Sequence, residues 1–201
     1  MPLHQIKKVS ETTQVGIWKI TETEERLILG LKKIKGNIEL LNTKNEQRLK
    51  QWLATRLLIS HFFNDYELSY DEYGKPHLNN NHYISISHSG NYVTIIINNR
   101  DCGIDIEKIS PKVERIKHKF LSKKDLQNYC SLKDLTTIWC AKEALYKYHG
   151  KKEILFIEHL FISSFNPPKK SFTGVIKLNE SETTINMQYE ELEDYILVYT
   201  L

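Results

Sequence analysis

The sequence predicts an α+β protein built from two halves. Strand-like and helical patterns follow one another in the order strand, helices and strands, and then helices and strands again. A chain of 201 residues is long enough for one substantial core or two smaller ones. The halves meet near 100–103, without a low-complexity linker and without an internal sequence repeat. We therefore expect an N-terminal subdomain at 1–101 and a C-terminal subdomain at 102–201.

The first half opens with a strand and two helices. Residues 14–21 alternate in part between apolar and polar and predict a strand, and the segment EERLILGL predicts a short helix. Residues 42–63 give the strongest helical pattern, because their apolar side chains recur at helical spacing. Thr43 and Glu46 resemble a capping box at the start of this helix.

Turns and strands complete the first half. Residues 74–76, GKP, mark a turn. In the strand that follows, Ile84, Ile86 and His88 share one face, and three alternating serines share the other. Residues 92–97 predict a buried strand.

The second half reads as a strand, then helices, then more strands. Residues 102–107 predict the strand, and helical patterns cover 113–121, 122–130 and 132–150. Gly150 is placed to end the last helix as a C-cap. Four strand-like segments follow: HLFISS, SFTGVIKL, TTINMQYE and DYILVYTL.

Composition narrows the function classes. Apolar residues make up 40% and charged residues 26%, which is typical of a folded globular protein. The net charge of +3 is too small to indicate nucleic-acid binding, and no basic-aromatic motif occurs. Three widely spaced cysteines without a CxxC pair predict reduced thiols, with no disulfide framework and no zinc site. No signal peptide is evident, and no apolar run approaches the ~20 residues of a membrane span, so we expect a cytoplasmic protein.

Two acids stand in the strand pattern DCGIDIEKIS. Asp105 and Glu107 are separated by one isoleucine and therefore point to the same face, while Ile104 and Ile106 point to the other. Paired carboxylates suit Mg²⁺, which prefers oxygen ligands and keeps waters and substrate phosphates as its other ligands. The alternative is an exposed edge strand whose charges prevent aggregation.

A second cluster lies in the helix around WCAKEALYK. Glu143 and Lys147 are four residues apart and share a helix face, whereas Lys142 points about 100° away from Glu143. Glu143 could be a third carboxylate for the metal, with lysines placed for phosphate. The alternative is an ordinary surface ion pair.

Two further motifs could contact an anion. In SISHSG, His88 stands between serines at a strand end. Its imidazole and the serine hydroxyls could bind a phosphate. The alternative is a purely structural histidine. In EYGKPHL, the turn could present its backbone and Lys75 to an anionic ligand, or could be a plain turn.

Taken in order, YGKP, ISHSG, GIDIE and WCAKEALYK resemble the motifs of the 4′-phosphopantetheinyl transferase superfamily. The motifs span Tyr73 to Lys147, and the flanking pattern is compatible from about Val15 to Leu201. The mid-chain position of GIDIE resembles the surfactin-synthetase-activator type, in which one chain holds two similar halves. The resemblance implies a pseudo-twofold fold of two similar α/β subdomains with the active site between them.

The resemblance also implies a reaction and its components. The enzyme would move the 4′-phosphopantetheine arm of coenzyme A to a serine of an acyl or peptidyl carrier protein, with Mg²⁺ or Mn²⁺, and release 3′,5′-ADP. We expect a monomer, because the two halves of one chain can form the site. An acidic carrier would dock on the basic stretch 111–124.

Site residues follow from the motifs that match. The expected metal ligands are Asp105, Glu107 and Glu143. The expected coenzyme A contacts are Arg48 or Arg56, Tyr73, Gly74, Lys75, Pro76, Ser87, His88, Lys142 and Lys147. The expected catalytic groups are Glu143 as base, Lys147 and Asp125; the last stands where the family often has glutamate, one methylene longer.

Two alternatives remain at this point. One is a non-catalytic module of the same fold that binds coenzyme A or a carrier protein. The other is an unrelated Mg²⁺-dependent nucleotide or phosphate enzyme, although neither GxxxxGK[ST] nor GxGxxG occurs in the sequence.

Overall fold

The computed structural model describes residues 3–35, 39–123, 125–127, 131–166 and 169–201, and within them the strands form two antiparallel sheets. The strands of the first sheet are β1 (Leu3–Lys8), β2 (Gln14–Lys19), β3 (Leu68–Tyr70), β4 (Pro76–Leu78), β5 (Tyr83–Ser89) and β6 (Tyr92–Asn98). Their order across the sheet is β1-β2-β6-β5-β4-β3. All of them come from the first half of the chain.

The second sheet comes from the second half. Its strands are β7 (Ile104–Lys108), β8 (Leu160–Asn166), β9 (Ser171–Leu178), β10 (Ser181–Leu192) and β11 (Tyr195–Thr200), in the order β7-β11-β10-β9-β8. This arrangement confirms the predicted α+β class with one sheet in each half. The division of the chain at 101/102 falls between β6 and β7 and stays a prediction.

Helices cover one face of each sheet. They are α1 (Glu24–Lys35), α2 (Glu46–Ser60), α3 (Lys112–Ile116), α4 (Leu132–His149) and α5 (Phe156–His159). Single 3-10 turns occur at Lys117–Lys119 and Asp125–Gln127. The helix predicted at 122–130 is wrong in its described part, which holds only the second of these turns; 128–130 lie outside the described residues.

Both long helices begin and end on polar or glycine caps. α2 starts after Asn45, whose side chain accepts a hydrogen bond from the Arg48 amide at 3.0 Å. The predicted capping box of Thr43 and Glu46 is therefore wrong, because Asn45 is itself a strong N-cap residue. α4 ends at Gly150, which has the left-handed conformation (φ 75°) expected of a C-cap.

Of the four hydrophobic clusters among the described residues, three hold the two sheets and their helices together. Trp18, Leu53 and Leu57 belong to the cluster between the first sheet and helices α1 and α2. Ala144 and Leu145 belong to the cluster between α4 and the second sheet. In the third cluster the two sheets meet, with residues from β2, β6, β7 and β11: Val15, Ile17, Tyr92, Ile96, Ile104, Ile106, Leu197 and Tyr199. This contact between sheets fixes the position of β7 relative to the first half of the chain.

Two further predictions concern cysteines and membranes. Cys102 and Cys140 are buried free thiols, and Cys130 lies outside the described residues. Among the helices that the structure describes, none combines the length and apolar character needed to cross a membrane.

Candidate active site

A cleft of about 610 Å³ is lined by both halves of the chain. The first half contributes residues from α2 and β5 and from the turn before β4, and the second half contributes residues from β7 and α4. The lining residues are Leu41, Arg48, Trp52, Thr55, Arg56, Tyr70, Gly74, Pro76, Ile86, Ser87, His88, Asp105, Glu107 and Lys147. Most of the predicted site residues therefore meet in one cavity.

Strand β7 carries its two acids toward this cleft. Ile104 and Ile106 are fully buried between the sheets, and the alternation of the strand turns Asp105 and Glu107 the other way. Asp105 is only 4% exposed, although β7 is the edge strand of its sheet. The predicted alternation is confirmed, and the alternative of a solvent-facing edge strand is wrong for Asp105, because β5 lies alongside β7.

Helix α4 approaches β7 closely at Gly103. A side-chain carbon at this position would overlap the carbonyl oxygen of Ala144, so the approach requires glycine. It brings the Lys147 ammonium to 2.7 Å from Asp105 Oδ1 and to 3.1 Å from the Ile104 carbonyl oxygen. The Gly of the GIDIE motif therefore has a packing role, which is to let α4 deliver Lys147 to the acids.

Serine hydroxyls join β5 to β7. Ser87 Oγ donates to Asp105 Oδ1 at 2.7 Å, and Ser89 Oγ donates to Glu107 Oε2 at 2.9 Å. The residues lie in different sheets, so these bonds tie the two halves together at the acids. Ser87 was predicted as a coenzyme A contact, and it lines the cleft while its hydroxyl bonds to Asp105.

The carboxylates are electrostatically crowded. The pKa of Glu143 is raised to about 7, mainly by burial and also by the charges of Asp105 and Glu107, while Lys147 acts in the opposite direction. Burial and the charge of Asp105 also raise the pKa of Glu107. Each of these shifts has the sign expected when several acids share a partly desolvated site with one lysine.

The crowded acids suit a divalent cation. Asp105 Oδ2 is buried and finds no hydrogen-bond partner in the part of the chain that the structure describes, which is unusual for a carboxylate oxygen. Hard oxygen donors with surplus negative charge are the ligands that Mg²⁺ prefers. Among the described residues, no three His, Cys, Asp or Glu side chains are arranged as a complete metal site. The donor chemistry therefore fits Mg²⁺, while the complete ligand set is not preassembled in this structure.

Basic groups also form part of the wall of the cleft. His88 is exposed to the cavity; desolvation by the cavity walls lowers its pKa, and the charges of Lys147 and Arg48 lower it further. Arg56 stacks on Trp52, with its guanidinium carbon 3.5 Å from the ring centroid. Within the described part of the chain, the Arg48 guanidinium makes no hydrogen bond or ion pair. Both candidate arginines thus lie in the cleft. Of their two guanidinium groups, that of Arg56 is stacked on Trp52, and that of Arg48 has no such contact among the described residues.

The YGKP turn lies at the boundary between the halves. Asp71 Oδ1 accepts hydrogen bonds from the amides of Tyr73 and Lys75, which closes the turn around Gly74. The Lys75 ammonium is 2.6 Å from Asp101 Oδ1 and 3.4 Å from the Tyr148 carbonyl oxygen. Tyr73, Gly74, Lys75 and Pro76 all line a cavity of about 110 Å³ that also touches Tyr146 and Lys147. Lys75 is therefore already engaged by a carboxylate.

Lys142 and Asp125 lie apart from the acidic cluster. Lys142 is 3% exposed, and its ammonium donates to the carbonyl oxygens of Phe120 and Phe156 at 2.7 and 2.8 Å. Asp125 Oδ2 accepts from the amide and hydroxyl of Ser122, and its charge acts on Lys142. Lys142 points away from Glu143, as its helical position predicts, and so it does not reach the cleft.

Some cleft residues were not predicted from the sequence as site residues. Trp52 and Tyr70 form an aromatic end of the cleft beside Arg56. Trp52 fits the apolar spacing of α2, so the sequence pattern predicts a core residue. The feature that could have identified it as a cleft residue is its spacing of four residues from Arg56, which places both on one helix face. For Ser89, the sequence signal is limited to its place in the alternating serine face of β5.

Comparison with known proteins agrees with this geometry. The family described as the 4′-phosphopantetheinyl transferase superfamily matches residues 101–200. The 4′-phosphopantetheinyl transferase gsp of Aneurinibacillus migulanus is 29% identical over 131 residues, which cover 62% of this chain and 54% of that protein. The 4′-phosphopantetheinyl transferase Sfp of Bacillus subtilis (strain 168) is 35% identical over 95 residues, covering 43% and 42%. The matches thus span about half the length of these curated relatives.

The family match and the structure describe the same segment. Residues 101–200 include β7 with its paired acids and α4 with Glu143 and Lys147. The first half supplies the other wall of the cleft from its own sheet, as expected of a chain with two halves. The chain belongs to the 4′-phosphopantetheinyl transferase superfamily.

Proposed function

We propose that this chain transfers the 4′-phosphopantetheine arm of coenzyme A to a serine hydroxyl of an apo acyl or peptidyl carrier protein. The observation that carries the proposal is a cleft between the halves that is lined by two carboxylates, a lysine and a histidine. Glu143 is not among the lining residues, but the charges of Asp105, Lys147 and Glu107 act on it. In the reaction, a bond forms between the serine oxygen and the phosphorus that bears the pantetheine arm. The bond from that phosphorus to the bridging oxygen of the pyrophosphate breaks, and 3′,5′-ADP leaves.

Coenzyme A would place its phosphates against the basic wall. Arg48, His88 and Lys147 line the same cleft, and the charges of Arg48 and Lys147 act on His88. Phosphoryl transfer depends mainly on positioning and on stabilisation of negative charge, which these groups can supply. The aromatic end of the cleft at Trp52 and Tyr70 offers stacking surface to the adenine ring.

The acids would hold the metal. Asp105, Glu107 and Glu143 present oxygen donors, and no described residue donates a hydrogen bond to Asp105 Oδ2. When bound, Mg²⁺, or Mn²⁺ in its place, neutralises the pyrophosphate that the serine must approach. We assign Asp105 and Glu107 to this role alone, and Glu143 to proton transfer as well.

Glu143 is our candidate for the general base. In the metal-free protein its pKa is raised to about 7, so this carboxylate holds a proton more readily than an ordinary glutamate does. The serine proton would pass to the Glu143 carboxylate as the serine oxygen attacks. Lys147 would stay close to the phosphate and stabilise the charge that develops on the departing 3′,5′-ADP.

The carrier would dock beside the acids. A small groove next to Glu107 is lined by Val113, Ile116 and Trp139, with Lys108 and Lys112 among its polar lining. Other basic side chains of the 111–124 stretch are exposed as well: Arg115, Lys119 and Lys123; Lys124 lies outside the described residues. Such a surface suits an acidic partner that binds transiently, so transfer should slow as salt concentration rises. We propose that the enzyme acts as a cytoplasmic monomer.

The proposal is tested by intact-protein mass spectrometry. An apo acyl carrier protein is incubated with the chain, coenzyme A and Mg²⁺, and a parallel sample contains EDTA. A mass gain of one phosphopantetheine arm that EDTA abolishes is the expected result. Measurable coenzyme A binding without any gain on acyl or peptidyl carriers would instead favour a non-catalytic binding module.

A further inference from the structure

Strands β5 and β7 contact each other through serine hydroxyl groups, and we call this contact the joint. Three amides of β7 donate to serine oxygens of β5, namely Ile104 to Ser85 (3.2 Å), Ile106 to Ser87 (3.2 Å) and Lys108 to Ser89 (3.3 Å). The residues are two apart on both strands, so the same contact repeats along the joint. The alternating serines thus replace the carbonyl oxygens that a neighbouring strand would present within one sheet.

Each hydroxyl has one proton to donate. When its oxygen accepts from an amide, the proton is directed toward another acceptor. For Ser89, that acceptor is Glu107 Oε2, at 2.9 Å. The hydroxyl therefore links the Lys108 amide to the Glu107 carboxylate, and its orientation is set at both ends.

Glu107 depends on this link more than Asp105 does. Asp105 receives hydrogen bonds from both Ser87 and Lys147. Across the described residues, Ser89 is the one hydrogen-bond donor to the Glu107 carboxylate. Glutamate also has one more rotatable bond than aspartate, so more rotamer freedom must be restrained to hold its carboxylate in place.

We propose that Ser89 is a positioning residue that orients the Glu107 carboxylate for metal binding. The inference rests on the proposed function, because it assigns Glu107 to the metal. Groups that hydrogen-bond to a metal ligand fix its orientation, and their loss typically weakens metal binding by about 10- to 100-fold. Ser89 would act from the first half of the chain on a ligand carried by the second half.

Ser85 provides a matched control. It accepts the same bond from a β7 amide, at Ile104, but its hydroxyl has no carboxylate partner among the residues that the structure describes. Ser85→Ala and Ser89→Ala each remove one hydroxyl from the joint, whereas only Ser89→Ala also removes the hydrogen bond to the Glu107 carboxylate. Ser89→Thr keeps the hydroxyl and serves as the conservative rescue.

The test measures Mn²⁺ binding by electron paramagnetic resonance of the free ion, with coenzyme A present. We expect Ser89→Ala to weaken Mn²⁺ binding by about 10-fold. The Mn²⁺ affinities of Ser85→Ala and Ser89→Thr should stay within about 3-fold of the wild-type affinity. This change is well below the roughly 10- to 100-fold loss expected when a metal ligand loses its hydrogen-bond partner. Unfolding in urea should show similar losses of stability for both alanine variants.

Two results for the variants would overturn the inference while leaving the metal assignment in place. One is Mn²⁺ binding by Ser89→Ala at the wild-type affinity, and the other is an equal weakening by both alanine variants, which would indicate a general effect of the joint. Absence of Mn²⁺ binding by the wild type would overturn the metal assignment and this inference together. The mass-spectrometric transfer assay reports separately on the proposed function, so the two failures can be told apart.

Discussion

Lys147 on α4 and Asp105 on β7 form an ion pair at the bottom of the cleft, with 2.7 Å between Nζ and Oδ1. The carboxylate is almost fully buried and the lysine is about three-quarters buried. The pair neutralises one of the crowded acids, and it brings the lysine to the place where a metal-bound pyrophosphate is expected. Lys147 and the cation should therefore contribute to the same task, which is to offset the charge of Asp105.

Replacing Lys147 by methionine should show whether the lysine and the cation offset the same charge, that of Asp105. Loss of one partner leaves a buried carboxylate uncompensated, and we expect the metal-free protein to lose about 2 kcal/mol of unfolding free energy. Mg²⁺ should then stabilise Lys147→Met more than it stabilises the wild type. Urea unfolding with and without Mg²⁺ measures both effects.

Lys7→Met is the control for this experiment. It breaks a part-buried ion pair with Glu190 that has the same 2.7 Å separation and does not involve the cleft. The Mg²⁺-dependent gain of stability should be the same in this variant as in the wild type. If Lys147→Met also shows the wild-type gain, Lys147 and the metal do not act on the same charge.

The pKa of Glu143 predicts a pH-dependent stability. Between its ordinary value of 4.5 and its folded value of about 7, the folded protein keeps a proton that the unfolded chain has released. Stability contributed by this group is thus present below 4.5 and is lost as pH rises toward 7. In metal-free protein, the wild type should lose stability relative to Glu143→Gln as pH rises through this window. Parallel stability curves for the two proteins from pH 4.5 to 7 would contradict the shift.

Arg48 and Arg56 should differ in their effect on coenzyme A. The Arg48 guanidinium is free to meet a phosphate, and its charge acts on His88, whereas Arg56 is stacked on Trp52. We expect Arg48→Gln to weaken coenzyme A binding by about 10-fold, since a charge-assisted hydrogen bond contributes roughly 1.5–3 kcal/mol. Arg56→Gln should have the smaller effect in isothermal titration calorimetry. The reverse order would assign the phosphate contact to Arg56.

Lys142 is expected to be a structural residue. Its ammonium donates to the carbonyl oxygens of Phe120 and Phe156, so Lys142→Met should remove both of these buried, charge-assisted hydrogen bonds and lower the unfolding free energy by about 2–4 kcal/mol. Lys133 lies on the same helix and pairs with Glu191 at the surface, and Lys133→Met should cost less than about 1 kcal/mol. Equal stability of the two variants in urea would contradict the buried role of Lys142.

Local patterns in the sequence predicted much of the site. The alternation in GIDIE placed Asp105 and Glu107 on one face, and the spacing in WCAKEALYK placed Glu143 and Lys147 on another. These predictions hold because they depend on the repeat of one strand or one helix. The helix end at Gly150 is also a local prediction, because glycine readily adopts the left-handed conformation of a C-cap.

Contacts between distant segments could not be predicted in this way. The carbonyl partners of Lys142 come from a turn and from α5, neither of which has a strong periodic signal. The joint of serine hydroxyls depends on two strands of different sheets lying side by side. Short elements such as β3 and β4 were read only as turns, because three residues are too few to show a period.

The most direct test of the account is the rate of phosphopantetheine transfer by Glu143→Gln. Transfer to an apo carrier protein is followed by intact mass at saturating coenzyme A and Mg²⁺, and coenzyme A binding is measured separately. If Glu143 is both a metal ligand and the base, the rate should fall by about 100-fold or more, in the range of a lost general base, while coenzyme A still binds. Full turnover by Glu143→Gln would contradict the proposed arrangement of acids around the reacting phosphate.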